Sequence, residues 1–133
     1  MTVAYEHEFS FTITRFRDGD TVEGFLECRR CRSIQRGVVR LLKIESWELD
    51  SPDRPRAVAT AKRLSDHFRG ATGVLSAQSL RRDKYGRILA DIYINGESVA
   101  LFIVDHHLGW YGVGEPQPES LGLPDGFVGD ALA

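Results

Sequence analysis

Residues 83–94 read Asp-Lys-Tyr-Gly-Arg-Ile-Leu-Ala-Asp-Ile-Tyr-Ile, a polar turn that leads directly into a strand rich in β-branched residues. A second run, Asp18-Gly19-Asp20-Thr21, is typical of a tight turn in which glycine supplies conformational freedom. It precedes residues 39–48, which read Val-Arg-Leu-Leu-Lys-Ile-Glu-Ser-Trp-Glu. The order and spacing of these runs predict one pocket that holds two arginines and three carboxylates.

The elements around these runs follow from hydrophobic periodicity. Alternating or aliphatic patterns predict strands over residues 8–14, 21–28, 38–45, 73–80 and 87–94. Ser-Pro-Asp-Arg-Pro at 51–55 predicts a helix start with Ser or Asp as the cap, and Gly70 ends that helix. Asn95-Gly96 predicts a turn before a second helix over residues 97–108. This order of elements predicts a small α+β protein around a partly closed five-stranded barrel.

Composition divides the chain into a domain and a tail. The 133 residues carry a net charge of −2, which argues against a protein that coats nucleic acid non-specifically. After Gly114 the chain has four carboxylates and no Lys or Arg, so residues 1–114 carry about +2. We therefore predict a domain over 1–114 and an acidic, Gly- and Pro-rich tail over 115–133. No signal peptide or membrane span is evident, so we expect a cytoplasmic monomer without a membrane partner.

The only two cysteines, Cys28 and Cys31, form a single Cys-Arg-Arg-Cys motif. One such pair supplies at most half of a zinc site, and the sequence contains no second pair. Free thiols near a hairpin turn are the favoured interpretation, while a labile disulfide and a partial metal site stay open.

The three runs resemble the staphylococcal (micrococcal, thermostable) nuclease family over about Phe9 to Leu108. The most specific match is Asp83-Lys84-Tyr85-Gly86-Arg87, because a strand follows these five residues where the family has one. The resemblance implies an OB-type five-stranded barrel with two to three helices packed around it. It also implies calcium-dependent hydrolysis of DNA, RNA or both, with products that carry a 3′-phosphate.

The resemblance assigns roles to individual residues. The resemblance implies that Ca²⁺ is bound by Asp20, by Glu45 and by the carbonyl of Ser46. Catalytic roles are implied for two phosphate-binding arginines and for a general base, which are Arg40, Arg87 and Glu48. Contacts to substrate are expected from Lys84 and Tyr85, and the aromatic residues Trp47 and Tyr111 are further candidates.

These residue types suit the cleavage of a phosphodiester. Guanidinium forks bind phosphate oxygens and strengthen as charge develops on them, while carboxylates and carbonyls suit a calcium ion of flexible geometry. A carboxylate within reach of the attacking water can accept its proton. The sequence departs from the family at two places, since Glu45 stands for an Asp and Trp47 for a Pro.

Two other functions remain open at this point. A nucleic-acid-binding OB module could keep the arginines without catalysis, and an interaction scaffold could use the acidic tail as its contact. Each separate run also has a structural interpretation: Asp18 and Asp20 could simply build a hairpin turn, and Arg40 could pair with a carboxylate.

Overall fold

The computed structural model describes residues 9–30, 32–76 and 82–112. Nine strands and two helices lie in these ranges: β1 (Phe9–Asp18), β2 (Thr21–Cys28), β3 (Ile34–Leu41), β4 (Ile44–Glu45), α1 (Arg54–Phe68), β5 (Thr72–Leu75), β6 (Ile88–Ala90), β7 (Ile92–Ile94), β8 (Glu97–Ser98), α2 (Val99–Asp105) and β9 (Trp110–Tyr111). The predicted α+β class is confirmed.

Seven of these strands form one sheet in the order β6-β3-β2-β1-β5-β7-β8. Every pairing in it is antiparallel except that of β3 with β6, which is parallel. The strands β4 and β9 form a separate antiparallel pair. The sheet is not closed by hydrogen bonds, so the five-stranded barrel stays a prediction. Its edge strand β6 is nevertheless separated from β7, near the opposite edge, by Asp91 alone.

The core lies on one face of this sheet, beneath α1. Phe11 and Ile13 of β1, Val22 of β2 and Val39 of β3 are almost fully buried. Residues that alternate with them face outward, as the two-residue period of a strand requires. Helix α1 is fixed to β1 because the Phe16 N–H donates to the hydroxyl of its Ser65 at 2.8 Å.

The predicted element bounds were right for β2 and for α1, and they need correction elsewhere. The third strand was predicted over 38–45, but β3 begins at Ile34 and ends at Leu41, since its hairpin with β2 extends back to the pair Glu27 and Ile34. The predicted helix over 97–108 is shorter, because Glu97 and Ser98 first pair with β7. The cap of α1 falls at Asp53, whose side chain makes no capping hydrogen bond.

The predicted strand over 87–94 is divided at Asp91, whose carboxylate is an acceptor for three groups. Its Oδ1 accepts from the N–H groups of Ile92 at 2.7 Å and Ala100 at 3.1 Å, and its Oδ2 contacts the hydroxyl of Ser98. Asp91 thereby joins the bend between β6 and β7 to the first turn of α2, where backbone N–H groups lack helical partners.

Two predictions fall outside the described residues. The acidic tail over 115–133 is one, and Cys31, hence the state of its pair with Cys28, is the other. Among the described residues, no helix is long and apolar enough to cross a membrane.

Candidate functional site

The turn between β1 and β2 places Asp20 against the segment that follows β3. The carbonyl of Asp20 accepts from the N–H of Leu41 at 2.9 Å, which ties the turn to the end of β3. Gly19 touches Ser46 so closely that a Cβ atom at position 19 would lie 2.1 Å from the Ser46 hydroxyl oxygen. Only glycine therefore allows this approach, which puts Asp20 beside the chain that carries Glu45 and Ser46.

Arg40 holds the centre of the site. It lies on β3 between Thr21 of β2 and Leu89 of β6, and its side chain is 14% exposed. Its Nη1 donates to the carbonyls of Leu41 at 2.6 Å and Ile44 at 2.9 Å. Its Nη2 donates to Glu45 Oε2 at 3.0 Å and lies 3.6 Å from Asp20 Oδ2. One guanidinium thus brings together the two carboxylates that the sequence predicted as metal ligands.

The environment of Asp20 disfavours the charged form of its carboxylate. The pKa of Asp20 is raised to about 8, first by burial and then by the negative charge of Asp18 and a hydrogen bond between the two side chains. Arg40 and the Thr21 hydroxyl, which donates to Asp20 Oδ1 at 3.0 Å, lower the pKa and offset only part of the increase. The pocket therefore holds less positive charge than its carboxylates require. The DxD spacing of the turn was the signal that Asp18 belongs to this site.

Glu45 and Ser46 are buried where β4 meets β9. Glu45 pairs with Trp110, and a Cβ at Gly109 would lie 2.6 Å from the Glu45 carbonyl oxygen. The Ser46 hydroxyl donates to the carbonyl of Leu108 at 2.7 Å. The connection from α2 to β9 therefore packs against Glu45 and Ser46 and fixes their positions. No sequence pattern indicated this contact.

Trp47 does not lie where a nucleobase could stack on it. It is 2% exposed, packs edge-on against Trp110 with ring centroids 5.5 Å apart, and is covered by the Arg56 guanidinium at 5.6 Å. Its predicted contact with substrate is not supported by this position, because the indole fills a small core of its own. Tyr111, the next residue after Trp110, alternates to the outside and is 56% exposed.

Glu48, the predicted general base, is exposed just beyond the buried part of the site. Its backbone is held in place, since its carbonyl accepts from the Ser51 hydroxyl at 2.8 Å, and that hydroxyl accepts from the Asp53 N–H at 3.1 Å. Glu48 is therefore an accessible carboxylate on a fixed segment three residues from Glu45.

The run 83–87 forms a compact turn that holds Arg87. The Asp83 carboxylate accepts from the N–H groups of Tyr85 at 3.0 Å and Arg87 at 2.9 Å, and from the Arg87 guanidinium at 2.7 Å. Burial acts to raise the pKa of Asp83, but these hydrogen bonds outweigh it and the pKa is lowered. The exposed ring of Tyr85 lies 5.2 Å from both Arg87 Cζ and Lys84 Nζ.

The pairing of β3 with β6 puts the two arginines on one face of the sheet. Arg40 is opposite Leu89, and Arg87 precedes Leu89 by two residues, so the side chains of all three project to the same side. Arg40 is bound to carboxylates, while Arg87 is paired with Asp83 and is 26% exposed. Both arginines thus belong to the face opposite the core, where the Arg40 guanidinium is folded against Glu45 and the Arg87 guanidinium is partly exposed.

Calcium takes six to eight oxygen ligands, among them carboxylates, carbonyls and water. Within the described ranges, no three His, Cys, Asp or Glu side chains lie close enough together to hold a metal ion by themselves. The donors present are nevertheless all oxygen, and the raised pKa of Asp20 means that its charged form is disfavoured unless a nearby cation stabilises it. Asp20 and Glu45 are oxygen donors of the kind that a hard cation accepts, and their role as calcium ligands stays a prediction.

Comparison with known proteins adds no family to this geometry: the sequence matches no family model and no curated protein.

Proposed function

We propose that this protein hydrolyses phosphodiester bonds of DNA, RNA or both, with a divalent cation bound by Asp20 and Glu45. The proposal is supported above all by one observation: Asp20, Arg40 and Glu45 come from three separate elements and meet within 3.6 Å of one guanidinium. The resemblance of the three runs to the staphylococcal nuclease family points to the same residues. In this proposal the sheet is the OB-type barrel of that family, with β6 and β7 as one bent strand.

The chain's own residues divide the work as follows. Arg40 and Arg87 bind the non-bridging oxygens of the scissile phosphate and stabilise the charge that accumulates on them during attack. Glu48 accepts a proton from the attacking water, whose oxygen forms the new bond to phosphorus. The bond from phosphorus to the 5′ oxygen breaks and that oxygen takes a proton from solvent water, so the products are a 3′-phosphate and a 5′-hydroxyl. A bound calcium would supply positive charge that favours ionised Asp20 and a more acidic water.

Tyr85 and Lys84 bind the substrate beside the reacting phosphate. The exposed ring of Tyr85 offers a face for a base or a sugar, and Lys84 adds one positive charge. Tyr111 of β9, which pairs with Ile44 of β4, provides a second exposed aromatic ring.

The test is cleavage of a fluorescently labelled DNA strand by purified protein, with calcium and with an excess of chelator. We expect cleavage only with calcium, and a rate reduced at least ~10²-fold in Arg40→Ala and in Arg87→Ala, by analogy with the loss of one oxyanion donor. Arg69→Ala is the matched control, because it removes an exposed arginine from the far end of α1. A Glu48→Gln variant purified in the same way shows how much cleavage comes from contaminating enzymes.

Equal cleavage in chelator would refute the role of the cation. An Arg87→Ala variant that is folded and as active as the wild-type protein would refute the role of that arginine.

A nucleic-acid-binding module without catalysis is the second candidate. It is favoured by the position of the Arg40 guanidinium, which lies against Glu45 instead of projecting from the sheet. Strand binding without calcium-dependent cleavage would select this candidate over the first.

A further inference from the structure

The outward face of β2 and β3 carries a second feature, away from the pocket around Arg40. Phe25 of β2 is directly opposite Arg36 of β3, and the Arg36 guanidinium lies 5.8 Å from the Phe25 ring centroid. The ring is 42% exposed, although a phenylalanine on a strand gains stability from burial. The guanidinium and the half-exposed ring form a cation–π pair at the protein surface.

This pair is continuous with the proposed active site. Three neighbouring cross-strand pairs share the outward face: Phe25 with Arg36, Glu23 with Val38, and Thr21 with Arg40. At the rise of a strand, Arg36 and Arg40 are about 13 Å apart. A groove of about 280 Å³ covers the first two of these pairs and ends one pair short of Thr21 and Arg40. It is lined by residues of the first three strands, among them Thr14, Arg17, Glu23, Phe25, Arg36 and Val38.

Positive charge exceeds negative charge along the groove. Arg15 and Arg17 of β1 both contact Glu23, at 3.0 Å and 2.8 Å, so the one carboxylate is shared by two guanidinium groups. In the part of the chain that the structure describes, no carboxylate forms an ion pair with Arg36. The groove thus combines an excess of arginine over carboxylate with one half-exposed aromatic ring, and single-stranded nucleic acid is bound by that combination.

We propose that this groove, with Phe25 and Arg36 at its centre, is a binding track for single-stranded nucleic acid that enters the pocket around Arg40. A base stacks on Phe25, and Arg36 binds the adjoining phosphate. The inference rests on the proposed function for the identity of its ligand. It implies that the protein binds strands of several nucleotides better than it binds dinucleotides, since OB folds cover roughly 4–16 nucleotides.

The experiment measures binding by the fluorescence anisotropy of two labelled oligothymidylates, one of twelve nucleotides (dT12) and one of two (dT2). Chelator is present, so that cleavage is not expected. Phe25→Ala should raise the Kd for dT12 by about 5- to 150-fold, the range found for loss of one stacked base. The Kd for dT2, which fills only the pocket, should not change. Phe25→Trp should restore binding of dT12, and Leu101→Ala is the matched control because Leu101 is an apolar residue of similar exposure on α2.

Arg36→Ala tests the phosphate contact through a different quantity. The slope of log K against log salt should fall by about 0.7 for dT12, the value for one phosphate on a single strand. Phe25→Ala should weaken binding without changing that slope. A dT12 backbone without bases should lose its sensitivity to Phe25→Ala and keep its sensitivity to Arg36→Ala. Arg69→Ala again controls for the removal of one exposed positive charge.

The outcomes separate this inference from the proposed function. Tight dT12 binding that neither variant changes would overturn the track, even if calcium-dependent cleavage is found. Absence of dT12 binding by the wild-type protein would also overturn it, and would leave the face to a protein partner. Length-dependent binding that Phe25→Ala and Arg36→Ala abolish would support the track, whether or not the protein cleaves.

Discussion

Replacement of Asp20 by Asn should stabilise the protein in the absence of metal, although Asp20 is central to the proposed site. Asn has nearly the same shape and can still accept a hydrogen bond from the Thr21 hydroxyl, but it carries no charge to bury. It also removes the repulsion from Asp18. The substitution thus separates the charge of residue 20 from its packing.

The magnitude follows from the pKa of Asp20, which is raised from 3.8 to about 8. A carboxyl with a raised pKa in the folded state favours folding fully below pH ~4, and this contribution is lost as the pH rises through about 8. The full shift corresponds to an upper limit of roughly 6 kcal/mol, and relaxation with water entry reduces such penalties to several kcal/mol or less. We expect Asp20→Asn to gain about 2–3 kcal/mol above pH 8 and almost nothing at pH 4.

Urea unfolding of both proteins in chelator at pH 4, 6 and 8.5 measures this difference. Calcium should reduce or reverse it, because an ion at 100 times its Kd stabilises the wild-type protein by about 2.7 kcal/mol and binds the variant less tightly. Asp66→Asn is the control, since Asp66 is exposed and paired with Lys62, which lowers its pKa. An Asp20→Asn variant that is no more stable than the wild-type protein at pH 8.5 in chelator would refute the reasoning. Arg40 would then neutralise Asp20 without help from an added cation.

Three further substitutions test how the site is held. Asp91→Ala should lower the free energy of unfolding by about 2–4 kcal/mol in urea, because several backbone and hydroxyl donors lose a charged acceptor; a loss below ~1 kcal/mol would contradict its bridging role. Trp47→Ala should cost about 3–5 kcal/mol through the cavity it leaves against Trp110, whereas Trp47→Phe should leave the KM for DNA unchanged, and a large rise in KM would restore Trp47 as a substrate contact. Gly19→Ala should lower the free energy of unfolding by about 1–3 kcal/mol and slow cleavage, because the new Cβ displaces Ser46. Unchanged thermal unfolding and an unchanged cleavage rate would contradict this prediction.

The sequence predicted the parts of this fold that depend on local chemistry. The turn at Asp18-Gly19-Asp20, the strand β2 and the helix α1 follow from turn residues, alternation and a glycine stop, and the structure has them in those places. Asn95 and Gly96 both have positive φ, as the predicted turn requires. The bounds of β3 were wrong because pairing with β2, a tertiary contact, extends that strand into a segment of Arg and Gln.

The sequence indicated which segments lie near each other at the candidate site, and it did not indicate all of their contacts. The spacing of Arg40 and Glu45 indicated that both belong to one pocket, and the structure brings them together. Nothing local to Trp47 distinguishes an exposed aromatic residue from a buried one, because its environment depends on Trp110, far away in the chain. The support from Leu108 and Gly109 depends in the same way on how β9 docks against β4.

The parallel contact between β3 and β6 has a consequence for the order of folding. It joins residues about 50 positions apart, and contacts of long sequence separation form late because the loop between them must first be closed. Arg87 is placed on the same side of the sheet as Arg40 through this contact, so a chain still emerging from the ribosome has the hairpin of β1 and β2 before it has both arginines in place. We expect the proposed phosphate-binding pair to be absent from incomplete chains and from early folding intermediates, and to arise only when residues beyond β6 have been made.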